Sequence, residues 1–272
     1  MLIYSVFILP GKISGQDQTF TNSIRIEFIL IKPGTMVVGK YQPTVGSYQP
    51  PQERPGSATR KVLPESAYRV AKIKAREAYK PGFNVTIEQP FYIGKFEVTQ
   101  EQWEKVMGNN PSYFQGKKVN GQASFHPVEN ISWNVAKKFV KKLSRLDKEH
   151  NYRLPTEFEW EYAARAGAQD DIPWLEARAM AVISDTTTYV VGSREPNAWG
   201  LYDMLGNVWE WVEDYYNEKI FADPVPPKSG KQHVLKGASF TGDAKNNTYL
   251  THAAGPGNRF DVGFRVIMDA KP

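Results

Sequence analysis

Glycine at 21 positions and proline at 19 punctuate this 272-residue chain so often that only short helices and strands, joined by many turns, fit between them. The pieces so divided are still rich in core-forming side chains. Seven Trp, 14 Tyr and 14 Phe within a hydrophobic content of 41% exceed what a disordered chain carries. A chain of this length closes one large core or two small ones, and one is the expectation here. There is no cysteine, so neither a disulfide nor a thiolate metal site holds the fold, and thiol chemistry by this chain is excluded. A protein without thiols is at home in reducing and oxidising surroundings alike.

The net charge of +5 is local. Arg60, Lys61, Arg69, Lys72, Lys74, Arg76 and Lys80 face only Glu65 and Glu77 within that stretch, and the rest is nearly balanced. No aromatic or glycine-rich motif is interleaved with those charges, so they read as a solvated helix face and no nucleic-acid partner is expected. At the amino terminus, Leu2 to Leu9 is a short apolar run followed by Pro10 and by the small residues Ser14 and Gly15. Residues 1–16 are therefore a candidate signal peptide, truncated at its start because no Lys or Arg precedes the run. That predicts export to the periplasm or cell envelope, the alternative being a cytoplasmic protein with an ordinary strand there. The run is too short to span a bilayer, and no transmembrane segment is expected.

The patterning predicts a strand over Ile24–Ile31, a turn at Lys32–Thr35 and a second strand from Met36, together an opening hairpin. Residues 40 to 64 lack periodicity, and Glu65–Tyr79 has helical composition. A basic insertion at about 40–85 thus interrupts a single domain spanning 24–270. A strand is predicted over Phe91–Val98 and a helix over Gln100–Met107 capped by Thr99. Another helix is predicted over Trp133–Leu146, where Val135, Phe139, Val140 and Leu143 recur at helical spacing. Thr156 and Glu159 form a capping box ahead of a third helix. Beyond Arg165 no helix is predicted, only short strands at Trp199–Tyr202, Asn207–Val212, His233–Phe240 and Val262–Met268.

Six segments occur in order: FYIGKFEVTQEQW from Phe91, HPVENISW from His126, YRLPTEFEWEYAARAG from Tyr152, PNAWGLYDMLGNVWEW from Pro196, VLKGASF from Val234 and GFRV from Gly263. With these blocks the chain resembles the formylglycine-generating enzyme family, also called sulfatase-modifying factor domains. The resemblance implies an α+β fold, a variant of the C-type lectin fold with little regular secondary structure and a short-stranded sheet flanked by helices. That fold serves catalysts and binding proteins alike, so it does not settle function.

The family's catalytic members hold copper(I) with two cysteines just after the segment matching Lys236–Phe240, because soft thiolates suit that ion. Counted from Ser239, those positions are Gly242 and Asn247, so the resemblance carries a fold here without its copper centre, and no copper is expected. The family also carries a structural calcium site at the segment matching Asp203–Glu210. The resemblance assigns its metal ligands to the side chains of Asp203 and Glu210 and the backbone carbonyls of Gly206 and Val208, an oxygen set that suits calcium. By the same resemblance Trp209, Ser239, His252 and Arg259 lie near the groove in which relatives hold a peptide. Each has a plainer reading: Trp209 as core, Ser239 as a turn residue and His252 as a satisfied imidazole. The four histidines are scattered, with no spacing typical of a zinc or iron centre, although Asp243 and Asp261 are candidates to join His252. Arg153, Glu157, Glu159 and Glu161 read as framework, with 157 and 161 on one helix face.

Two functional classes follow. The first is a non-catalytic binding or assembly module, a pseudoenzyme of the envelope with an unidentified protein, peptide or glycan ligand. The second is an oxidoreductase using a non-thiol centre, for which relatives usually rely on an added helical domain. A hypervariable ligand-binding protein is a lesser third, since residues 242–259 are not dominated by the asparagine that such regions show.

Overall fold

The computed structural model describes residues 18–39, 82–169, 172, 174–217, 219–221, 225–242, 247–255 and 257–270. The first strand, β1 (Thr19–Thr21), pairs antiparallel with β2 (Glu27–Ile31), which in turn pairs with β5 (Phe91–Gly94). Together with β6 (Tyr152–Arg153) and β11 (Ile267–Asp269) they form a five-stranded sheet in the order β1-β2-β5-β11-β6. A second sheet of four strands contains β7 (Trp209–Tyr215), β8 (His233–Lys236), β9 (His252–Ala254) and β10 (Val262–Gly263), in the order β10-β7-β8-β9. The pair β3 (Gly34–Val38) and β4 (Phe83–Ile87) stands apart as a two-stranded ribbon.

The expected opening hairpin is therefore corrected. Both strands exist, but Ile31 and Gly34 belong to different sheets, because the Lys32–Pro33 corner sends the chain out of the first sheet. The true partner of β3 lies beyond residue 81, with Val38 opposite Phe83. The described residues on either side of 40–81 are therefore neighbours in one ribbon. The helix expected over Glu65–Tyr79 and the candidate signal peptide lie outside the described residues.

Three helices stand where the periodicity put them: α1 (Gln100–Met107), α2 (Trp133–Leu146) and α3 (Glu157–Arg165). Thr99 caps α1, with Gln102 completing its box, and Thr156 and Glu159 form the box of α3. A fourth helix, α4 (Trp174–Met180), corrects the expectation that none follows Arg165. Its seven residues are too few to print a helical period. The strand expected at Trp199–Tyr202 is not regular structure, and those over Phe91–Val98 and His233–Phe240 stop at Gly94 and Lys236.

The first core cluster lies under α1, α2 and the five-stranded sheet, where Trp103 stacks on Phe139 at 5.3 Å and Phe264 meets both edge-on. The second centres on Trp160, Met204, Leu205 and Val234, beneath α3 and between the sheets. Burying these side chains is the main stabilising term, since no covalent crosslink exists.

Candidate functional site

The turn after β8 sets the site. Ser239 is fully buried; its hydroxyl donates to Asp261 Oδ2 at 3.2 Å and lies 3.0 Å from Thr241 Oγ1. Asp261, also buried, receives both Nε and Nη2 of Arg259 at 2.9 and 2.8 Å, a charge-assisted fork that holds its carboxylate. The backbone carbonyl of Asp261 accepts from the Trp209 N–H, which fastens this loop to β7. Trp209 is half-buried against the first core cluster. Among the described residues no histidine touches Ser239, whose hydroxyl is held between Asp261 and Thr241.

Beside this set lies Glu129, wholly buried, with Oε1 accepting the Phe114 N–H at 2.8 Å and Oε2 without a partner. Burial, with the Asp261 charge adding to it, pushes its carboxyl up to about 7. Phe114 and Phe240 meet edge-on at 5.3 Å, and Tyr113 and Phe260 continue the wall to the surface, 51% and 43% exposed. Lys118 Nζ sits 3.5 Å over the Tyr113 ring, a cation–π contact. Arg259, 49% exposed, borders the same wall.

Gly242 and Asn247, the positions that the resemblance assigns to the copper cysteines, do not offer donors that suit that metal. Gly242 closes a turn, its N–H donating to Ser239 O at 2.8 Å and its carbonyl accepting from Ser184 N at 2.9 Å. A Cβ there would stand 2.9 Å from Ser239 O, so the turn is shaped for glycine. Asn247 is buried and offers a hard amide in place of a soft thiolate, and neither of its polar side-chain atoms finds a partner.

His252 belongs to a different set. Its Nδ1 lies 3.0 Å from Glu157 Oε1, and its ring packs between Tyr216 and Phe221. Glu157 also lies 3.9 Å from Lys236 Nζ, and the fully buried Lys236 reaches Glu161 at 3.2 Å and Tyr249 O at 3.0 Å. Glu161 in turn receives Arg165, and Arg153 forks onto Glu159 with two 2.7 Å bonds. The RLPTE segment is thus internal framework, with Glu157 and Glu161 on the buried face and Glu159 turned outward. No bond or ion pair joins His252 to Asp261 among the described residues, and Asp243 lies outside them. No group of three or more His, Asp or Glu converges as a metal cluster among the described residues.

The fourth set is an acidic knot under the GNVWEW turn. Glu210 is buried and bidentate to Arg265 at 2.6 and 2.7 Å, and it also accepts the Trp160 indole N–H at 2.7 Å. Glu97 accepts the Asn207 amide at 2.6 Å and the Val208 N–H at 3.0 Å. Asp203 accepts the Gly192 N–H through Oδ2, while its buried Oδ1 has no partner. Three buried carboxylates thus share one guanidinium. Desolvation holds Glu97 well above the usual carboxylate range and pushes Asp203 up to about 6, with mutual repulsion adding in both. Gly206 makes the turn possible: its φ is +93° and a Cβ would stand 2.3 Å from Val182 O. The sequence singled out Asp203 and Glu210 but not Glu97 or Glu129. Their available signal was an acidic residue amid otherwise apolar stretches, in KFEV and HPVEN.

This is a mixed α+β fold of short strands and few helices, the formylglycine-generating variant of the C-type lectin fold. The family model for the sulfatase-modifying factor enzyme 1-like domain matches residues 18–270, and the chain belongs to that family. Over 190 residues it is 32% identical to the chaperone protein LppX of Paenibacillus barcinonensis, covering 49% of this chain and 65% of that one. It is 34% identical over 203 residues to the formylglycine-generating enzyme of Streptomyces coelicolor, covering 62% and 61%. The chain therefore spans less than two thirds of these relatives. Among solved structures it superposes on the Treponema denticola variable protein 1 with a TM-score of 0.67 and 26% identity, covering 94% of this chain and all of that one.

Proposed function

We propose that this chain is a non-catalytic binding module of the cell envelope, which holds an extended segment of a client polypeptide against the Tyr113–Phe260 wall beside Arg259. One observation carries the reading: the turn that bears copper in the catalytic relatives is here closed around Gly242, while the neighbouring Ser239–Asp261–Arg259 frame is fully hydrogen-bonded. A protein that keeps the frame without the reactive thiols retains the means to bind and position. Exposed aromatic rings beside a guanidinium suit side chains and backbone carbonyls of a peptide. The name of the Paenibacillus relative, a chaperone, agrees with a polypeptide client. The envelope assignment rests on the apolar run Leu2–Leu9 with its following breaker and small residues. No described helix is long and apolar enough to cross a membrane.

A structural calcium ion completes the proposal. The orphaned Asp203 Oδ1 and the excess of carboxylate over guanidinium in the knot fit a hard cation, with the carbonyls of Gly206 and Val208 and a remaining lone pair of Glu210 as further donors. Such an ion would hold Asp203 ionised and offset the repulsion among the three carboxylates.

The test combines two readouts on the purified chain. Binding of a fluorescein-labelled unfolded protein, reduced carboxymethylated α-lactalbumin, is measured by anisotropy, and metals are counted by elemental mass spectrometry. The expected result is binding that falls at least about tenfold in Tyr113→Ala/Phe260→Ala, with calcium near one equivalent. Stoichiometric iron or copper decides instead for an oxidoreductase with a non-thiol centre.

A further inference from the structure

Helix α2 carries a row of cations that the binding reading does not use. Its sequence, WNVAKKFVKKLSRL, contains four lysines, one arginine and no acid. Ala136, Phe139, Val140 and Leu143 turn into the core, which leaves Lys138, Lys141, Lys142 and Arg145 exposed together. Among the described residues only Lys137 of these cations is in an ion pair, with Glu213. Cations three and four residues apart repel one another, and each such contact weakens an isolated helix. The apolar face therefore holds in place a charge row that the helix itself does not favour.

The row also borders a concavity. A groove of about 760 Å³ runs between α2 and strand β6, lined by Lys137, Lys138, Lys141 and Arg145 and floored by Ser144 and Tyr152, with no acidic side chain in its lining. Strand β6 is the edge of the five-stranded sheet, but its outward Tyr152 N–H is already taken: it donates to Ser144 Oγ at 2.9 Å, and the Ser144 hydroxyl itself donates to the Val140 carbonyl at 3.0 Å. Strand addition is thus closed, and recognition here works through side-chain charge. Lys141 and Arg145, four residues apart, are separated by a rise of about 6 Å along the helix. Alternate side chains of an extended peptide recur at about 6.6 Å, a near match. A second copy of this chain, itself at +5, is repelled from the groove.

We infer that the α2–β6 groove is a docking site for an acidic, extended polypeptide segment of a partner protein, with Asp or Glu at alternate positions set against Lys141 and Arg145 and beside Lys138. The site goes beyond the proposed client-binding wall and does not rest on it. Charge pairing at an exposed row gives fast, salt-sensitive association.

The experiment uses the whole chain and a fluorescein-labelled peptide of alternating Glu and Ser, about twelve residues long, followed by anisotropy. Binding should weaken steeply between about 50 and 300 mM salt, as screening shortens the reach of each charge. Lys138→Glu/Lys141→Glu/Arg145→Glu should lower affinity at least about tenfold, and Lys138→Gln/Lys141→Gln/Arg145→Gln by an intermediate factor, with the melting temperature unchanged or raised. Lys32→Glu/Lys228→Glu/Lys231→Glu, equal in charge but on other segments, should leave binding within about twofold. Equal loss in that control, or no binding by the peptide at low salt, overturns the inference. Tighter binding to heparin or to phosphatidylglycerol vesicles than to the peptide also overturns it, and assigns the groove to a glycan or a membrane surface.

Discussion

At the scale of single residues, burial sets the charge of the acids beside the Ser239 turn. Glu129 is the clearest case, because burial holds its carboxyl near 7 with Asp261 facing it and Lys118 near enough to oppose the shift slightly. An acid whose folded value is raised contributes stability that is present below its ordinary value near 4.5 and is lost as pH rises through about 7. Glu129→Gln should flatten that slope and make the protein more stable at pH 8 by about 2–3 kcal/mol, with no gain below about pH 4.5, in denaturant titrations across pH. A residual slope of the same sign should remain in the variant, because burial also raises Asp203 and Asp214 to about 6 and holds Glu97 well above the usual carboxylate range. Equal pH profiles for the variant and the parent would remove Glu129 from the account. Gly206 makes a second test, since its +93° backbone and the 2.3 Å approach of any Cβ to Val182 O leave no room for alanine. Gly206→Ala should cost about 2–4 kcal/mol of unfolding free energy. Gly108, at φ +80° but with nothing within 4 Å of a Cβ, should cost about 1.

At the scale of elements, what the sequence revealed was local and what it hid was not. Helices α1 and α3 are legible from their capping boxes, and α2, whose N-cap Ser132 makes no side-chain bond, from its apolar stripe. Strand partners were not, because β5 lies between β2 and β11, residues separated by far more than any pattern window. The two-residue strands β6 and β10 are too short to alternate, and the knot of Glu97 with Asp203 joins residues that no spacing connects. The resemblance set Trp209, Ser239, His252 and Arg259 near one groove; in the structure Ser239, Arg259 and Trp209 meet around Asp261, and the bond of His252 is to Glu157. The capping box of α3 gives this scale its prediction. Thr156 Oγ1 accepts the Glu159 N–H while Glu159 reaches back to the Thr156 N–H and also holds Arg153. Thr156→Ala should therefore destabilise by about 1 kcal/mol, and Glu159→Ala by somewhat more, since it also strips Arg153 of its bidentate partner. Urea midpoints for the two variants decide the order.

At the scale of the molecule, the sheets are tied by an ion pair. Arg265 donates to the Gly94 carbonyl at the end of β5, to the Tyr202 carbonyl, and to both oxygens of Glu210 in β7, and Glu210 accepts from Trp160 in α3. Five-stranded sheet, four-stranded sheet and helix therefore meet at one guanidinium–carboxylate pair with both side chains almost fully buried. Such a pair is a poor source of net stability against an apolar replacement, but removing one partner strands a charge in the interior, at about 3–5 kcal/mol. The two single variants should differ. Glu210→Gln leaves Arg265 facing Glu97 and Asp203, which still neutralise it in part, whereas Arg265→Met leaves three buried carboxylates with only the more weakly felt Arg194 near Asp203. Measured in EDTA at pH 7, Arg265→Met should be the more damaging, and it should recover part of its stability as pH falls, because protonation removes the repulsion. Added calcium should restore Arg265→Met more than the parent if the ion seats at Asp203, because the ion then supplies most of the positive charge among the three carboxylates. Equal, small losses in both variants, with no calcium response, would show that the sheets are held by the Trp160–Met204 core alone and that the knot is a passenger in the fold.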